Sequence, residues 1–233
     1  MSIRYAIYYA PEADTALADF GNRWLGRNPR TGRALVQPKL ASIPAETLLT
    51  MTESPRRYGF HATLKPPFRL VDGETEETLL AAVKALANDT VSWDGPALRV
   101  TQLGDFLALR PDGPTPAIDA LASDCVRALD HFRAPLTPED IAKRRPATLT
   151  DRQRDNLQTW GYPHVMQDFR FHMTLTGPIP SLLRARAQIA LVTRFQTLAQ
   201  ASFCVDALSV LRQSKPSSAF RLIARAPLKP AHK

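Results

Sequence analysis

The sequence has almost no cysteine: two residues, Cys125 and Cys204, in a chain of 233. With only two cysteines and no C-x-x-C spacing, neither a disulfide framework nor a zinc–thiolate site is indicated, and both thiols read as core residues. Long hydrophobic runs are missing as well. None approaches the ~18–20 residues of a membrane span, and the chain enters a strand-like pattern at Arg4 without the layout of a secretory leader. A cytoplasmic protein with no membrane contact is the expectation. Glycine is sparse and never forms G-x-x-x-x-G-K-[ST], which excludes the commonest nucleotide cradle. H-E-x-x-H pairs and Asp-rich clusters are also lacking, so no metal and no cofactor is expected.

What is present in excess is positive charge. Thirty Lys and Arg against 22 Asp and Glu leave a formal charge of +8, which favours an anionic partner. The basic residues are dispersed, with one group at Arg23, Arg27, Arg30 and Arg33 and another at Lys143, Arg144, Arg145, Arg152 and Arg154. Dispersal points to a small phosphorylated substrate more than to a polynucleotide track; RNA is kept as an unfavoured partner.

Strand and helix patterns alternate along the chain. Residues 4–10 are rich in β-formers and stop at Pro11. Helical spacing runs over 14–25, 44–52, 75–87, 116–132, 137–157 and 182–198, the clearest being the stripe Ile118, Leu121, Ala122, Cys125, Leu129 and Phe132. Strands are expected near 97–103 and 106–110, and a closing hairpin pairs 203–212 with 220–226 around a long loop. Neither type dominates, so the fold class is α/β or α+β. No linker divides the chain, and residues 1–233 read as one unit.

One phrase is written twice. Phe60-His61-Ala62-Thr63-Leu64-Lys65-Pro66-Pro67 returns as Phe171-His172-Met173-Thr174-Leu175-Thr176-Gly177-Pro178. Side chains alternate along a strand, so His and Thr two apart share a face while Phe and Leu turn into a core. Two such strands facing one another would hold a phosphate between two imidazoles. Metal-free phosphodiester cleavage needs a base, an acid and donors for the non-bridging oxygens. Histidine serves either proton role near neutrality. In-line displacement puts the attacking and leaving oxygens on opposite sides of phosphorus, one imidazole to each. The other histidines are weaker candidates: His131 ends a helix, His164 follows a turn and His232 is in the tail.

The two H-x-T motifs, half a chain apart, resemble those of the two-histidine (2H) phosphoesterase superfamily, which includes 2′–5′ RNA ligase-like proteins and cyclic phosphodiesterases. The longer strings from Tyr58 to Phe68 and from Phe169 to Gly177 resemble one bacterial branch, labelled for phosphonate metabolism after its gene neighbourhood. The resemblance spans the whole chain. It implies an α+β, two-lobed, pseudo-symmetric fold, each lobe an antiparallel sheet with helices outside, one motif per lobe and a central cleft. By the family pattern His61 and His172 are the proton-transfer pair, and Thr63 and Thr174 bind the substrate phosphate.

If the motif strands stay regular, Lys65 shares a face with His61 at the cleft edge and Arg170 points in beside His172. Either cation would clamp a second anionic group. Tyr8, Tyr58 and Phe68 are candidates for an aromatic wall against a base or sugar. The expected activity is that of a metal-independent phosphoric diester hydrolase, a monomer opening a small cyclic phosphodiester in phosphonate or ribose-phosphate metabolism. The alternatives are RNA end processing, by 2′,3′-cyclic phosphodiester hydrolysis or 2′–5′ ligation, and a non-catalytic module that binds phosphorylated ligands. The motifs do not say which imidazole is base and which is acid.

Overall fold

The computed structural model describes residues 3–198 and 203–231. From the N-terminus, β1 (Arg4–Tyr9) leads into α1 (Ala16–Leu25), which starts where the Thr15 hydroxyl accepts from Ala18 N–H and stops at Gly26. Two short helices, α2 (Ala45–Met51) and α3 (Glu53–Tyr58), precede β2 (Ala62–Phe68), the first motif strand. Then come α4 (Glu76–Asp89), β3 (Trp93–Gly95), β4 (Leu98–Leu103), β5 (Phe106–Pro111) and α5 (Pro116–Ala128). The chain continues through α6 (Pro138–Lys143), α7 (Asp151–Trp160), β6 (Met173–Thr174), α8 (Ser181–Phe195), β7 (Phe203–Val205), β8 (Ala207–Gln213) and β9 (Arg221–Pro227).

The strands form one antiparallel sheet in the order β4-β5-β6-β2-β1-β8-β9, with β3 and β7 paired separately. This is the α+β architecture expected, and the two motif strands are its central neighbours. They meet at the pair Ala62↔Met173. One half of the sheet (β4, β5, β6) comes from mid-chain, and the other (β2, β1, β8, β9) joins both chain ends.

Alternation sorts the side chains onto two faces. Tyr5, Ile7 and Tyr9 of β1, Ala62 and Leu64 of β2, Leu107 and Leu109 of β5 and Met173 all enter the main core. There α4 packs on β8 and β9, α5 on β2, and α8 on β4 and β5. Burying each large apolar side chain contributes about 1.5–3 kcal/mol, which fixes the register of both motif strands. The opposite face carries only a small cluster of Ala6, Tyr8, Leu211 and Phe220. That face holds the polar residues of the motifs.

Four expectations need correction. The helix expected over 137–157 is two helices: Thr137 and Thr150 each build a capping box, and Pro146 with a left-handed Arg145 (φ 48°) separates them. The helix from Pro116 ends at Ala128 and passes into a single 3-10 turn, Asp130–Phe132. The strand expected over 203–212 is interrupted at Asp206, β7 leaving the main sheet to pair with β3. Cys204 on β7 is exposed, because this two-stranded ribbon buries Phe203 and Val205 and turns the residue between them outward.

Candidate functional site: paired histidines on the open face

Ala62 and Met173 point into the core at 1 % and 0 % exposure, so their sequence neighbours point the other way. In an antiparallel pair, His61 then stands across from Thr174, and Thr63 across from His172. The four side chains form a quadrilateral on one face, with the histidines at diagonal corners. Diagonal neighbours in such a pair lie about 7–8 Å apart, with their Cβ atoms somewhat closer. The two imidazoles are near enough for the charge of His172 to bear on His61.

Each ring is tied back in the same manner. His61 Nδ1 donates to the Gly59 carbonyl at 2.8 Å, and His172 Nδ1 donates to the Arg170 carbonyl at 2.7 Å. A carbonyl only accepts, so both neutral rings carry their proton on Nδ1 and leave Nε2 as the free base. Gly59 reaches this position with φ 87°, and a methyl there would come within 2.8 Å of Pro29. Phe60 anchors the strand on α1 at Gly21, where any side chain would overlap its ring.

The surroundings of the two rings differ. Tyr8, across from Thr63 on β1, stacks on His61 at 3.7 Å between centroids, with Tyr58 and Phe220 extending the aromatic wall. His61 Nε2 sits 3.2 Å from the Thr63 hydroxyl. His172 has Phe106 at 5.9 Å and, among the described residues, no hydrogen-bond partner for Nε2. Burial pushes the His61 pKa down to about 4, the Gly59 carbonyl opposing and the charge of His172 adding to the fall. His172 is lowered too, by burial first, against the Arg170 carbonyl, and then by the charges of Arg110 and His164.

The remaining sequence candidates divide. Tyr8 and Tyr58 line the face beside His61. Phe68 does not: it is a core residue at 5 % exposure. Lys65 is also misplaced by the assumption of a regular strand. Register shifts where β1 meets β2 pair Lys65 with core-facing Ile7, and its ammonium bonds Asp130 at 3.1 Å and the Val126 carbonyl at 3.2 Å. Arg170 is exposed, and its Nη1 donates to the Gln167 and Phe169 carbonyls. His131 and His164 are exposed outside the quadrilateral, and His232 lies outside the described residues.

One residue escaped the sequence reading. The pairs Ala108↔Thr174 and Leu109↔Met173 put Arg110 of β5 across from His172, on the same face. The strand was legible, but nothing in the sequence said that β6 would be its neighbour. Cavity size is no guide to the site either: a cavity of about 510 Å³ between α6 and α7 is lined by Leu136, Ile141 and Leu157 and contains neither histidine.

Two H-x-T segments side by side on the open face of an antiparallel sheet define the class, an α+β protein whose two motif histidines share one face. The chain belongs to the DUF1045 family, described as a protein of unknown function, whose match covers residues 63–221. It is 42 % identical over 231 residues to a ribose 1,5-bisphosphate phosphokinase PhnN of Janthinobacterium sp. (strain Marseille), covering 93 % of this chain and 49 % of that protein. A protein of the same name from Laribacter hongkongensis (strain HLHK9) is 31 % identical over 226 residues, covering 94 % of this chain and 50 % of the other. The chain thus spans about half the length of the curated relatives it matches. Among solved structures, E. coli LigT complexed with 3′-AMP aligns with a TM-score of 0.44 at 12 % identity, over 98 % of this chain and 99 % of that one.

Proposed function

We propose that the protein is a metal-independent phosphoesterase that opens a small cyclic phosphodiester by paired histidine acid–base catalysis. The observation that supports this is the quadrilateral around Ala62↔Met173, with both Nδ1 atoms tied to carbonyls two residues back. Histidines at diagonal corners, on strand positions about 7–8 Å apart, leave room for one tetrahedral phosphate with a hydrogen bond on either side. His61, the more strongly held neutral, takes a proton from the attacking water through Nε2. The water oxygen bonds to phosphorus, the bond to the ring ester oxygen breaks, and His172 delivers the proton that oxygen needs. Thr63 and Thr174 donate to the non-bridging oxygens. An anionic phosphate between the rings raises the proton affinity of both, which lets His172 be charged when substrate is bound.

The relatives' name suggests the substrate class. Their phosphokinase activity belongs, in this reading, to the half that this chain does not span, since the chain has no G-x-x-x-x-G-K-[ST] loop. A cyclic phosphodiester on a sugar phosphate, opened here, yields the kind of bisphosphate that a ribose 1,5-bisphosphate kinase consumes. That supports a role in phosphonate or ribose-phosphate metabolism.

Phosphorus NMR of cyclic ribose phosphates incubated with the protein and a chelator tests the proposal. Ring opening to a monoester that persists in chelator and vanishes in His61→Ala and His172→Ala is expected. Tight phosphate binding with no turnover across the panel would leave a ligand-binding module. Strong preference for a 2′,3′-cyclic oligonucleotide end would move the assignment to RNA.

A further inference from the structure

Arg110 is a cation without a counter-charge among the described residues. Its neighbour across β4, Arg99, is paired with Asp112 at 2.6 Å, whereas Arg110 forms no ion pair among the described residues. Its Nε is buried and has no hydrogen-bond partner among the described residues. A buried guanidinium N–H is seldom left so, because losing water without gaining an acceptor is costly. The register aligns it with His172, and its charge is felt by that ring. Beside it, at the end of β5, a cavity of about 390 Å³ is lined by Arg110, Arg170, Thr115 and Asp119. The Asp119 carboxylate there already accepts from the Thr115 hydroxyl at 3.0 Å, and Arg170 keeps only Nη1 engaged, on carbonyls.

We infer that Arg110 is a substrate-binding residue: it grips a second anionic group, a phosphate on the same small molecule, on the His172 side of the reacting phosphorus. The guanidinium fork suits a phosphate better than a point charge would, and the orphaned N–H acquires its acceptor only when that group binds. The same position on the His61 side is one residue past Tyr9 of β1 and is Ala10, so the grip is one-sided and orients the substrate. This inference rests on the proposed phosphoesterase reading and narrows its substrate to a molecule with two phosphoryl groups.

Calorimetric binding of ribose 1,5-bisphosphate and of inorganic phosphate separates the two claims, because neither probe is turned over. In Arg110→Met the bisphosphate should bind at least tenfold more weakly and phosphate within twofold of the wild type, with Arg110→Lys intermediate. Equal weakening of both probes would place Arg110 on the reacting phosphate, and no weakening of either would remove it from the site. Either result overturns the inference, as does a wild type that binds the bisphosphate no better than phosphate. A kinetic arm compares adenosine 2′,3′-cyclic phosphate with its 5′-phosphorylated form: Arg110→Met should abolish the preference for the second. If neither is hydrolysed while the binding pattern holds, the catalytic reading fails and the anion grip stands. Unfolding midpoints of both variants exclude a folding defect.

Discussion

On the His61 side of the site, β1 sets Tyr8 across from Thr63 and stacks it on the imidazole; on the His172 side, β5 sets Ala108 beside Thr174 and Arg110 beside the ring. The backbone plan is duplicated down to the Nδ1 bond on each ring, yet the flanking strands have exchanged large and small residues. One imidazole is walled by aromatics and kept neutral; the other is open at Nε2 and has a cation for a neighbour. Duplication thus supplies two equivalent imidazoles, and the flanking strands make them unequal, as the proposed division into one base and one acid requires.

The largest expected effect breaks both halves. His61→Ala and His172→Ala should each lower kcat/KM on a cyclic phosphodiester by about 10²–10⁴-fold. A substrate whose leaving oxygen needs no proton, such as a nitrophenyl phosphodiester, sharpens the comparison. It should restore much of the activity of His172→Ala and little of that of His61→Ala. The reverse pattern would exchange the assigned roles, and equal rescue of both would deny any division of labour.

A smaller effect contrasts a residue inside the site with one that a bulge removed from it. Lys65→Met deletes a buried ammonium bonded to Asp130, which keeps its pairing with Arg133 at 2.8 Å. Destabilisation of about 1–3 kcal/mol, measured by urea unfolding, should accompany turnover per folded molecule within twofold of the wild type. Thr174→Val should do the opposite, leaving stability within about 0.5 kcal/mol and reducing kcat/KM by tenfold or more through loss of one donor to the phosphate. A Lys65 variant that folds normally and loses turnover would return that ammonium to the site.

Much of this was readable beforehand because it depends on short-range rules. The repeated phrase fixed which residues share a face: period-two alternation survives even where β6 is reduced to two residues, and His172 and Thr174 still point away from buried Phe171, Met173 and Leu175. The apolar stripe of α5 was equally plain. What alternation cannot foresee is an irregularity or a neighbour. The register shifts between β1 and β2 turned Lys65 inward, and the proximity of Arg110 to His172 depends on strand order, which is set by the packing of the whole sheet. Phe68 was misread because an aromatic on a motif strand is compatible with either face.

The smallest expected effect reads the asymmetry through stability. His61 binds its proton in the folded protein only near pH 4, while an unfolded chain binds it near 6.5. Between those values the unfolded state holds more protons, so stability is complete above about pH 6.5 and declines as the pH falls toward 4. His172 is shifted in the same direction and adds to the slope. Asp130 and Asp140 are held below the usual carboxylate range despite burial, by bonds from Arg133 and Lys65 and from Arg69. Their contribution is therefore lost only at still lower pH. Urea unfolding at pH 7 and pH 5 should show the wild type losing on the order of 1–2 kcal/mol. His61→Asn should flatten that loss more than His172→Asn, because burial under the aromatic wall of Tyr8 lowers the first ring further than burial lowers the second. A wild type equally stable at both pH values, or a His172 variant that flattens the curve more, would mean that the two halves do not differ in the way their neighbours imply.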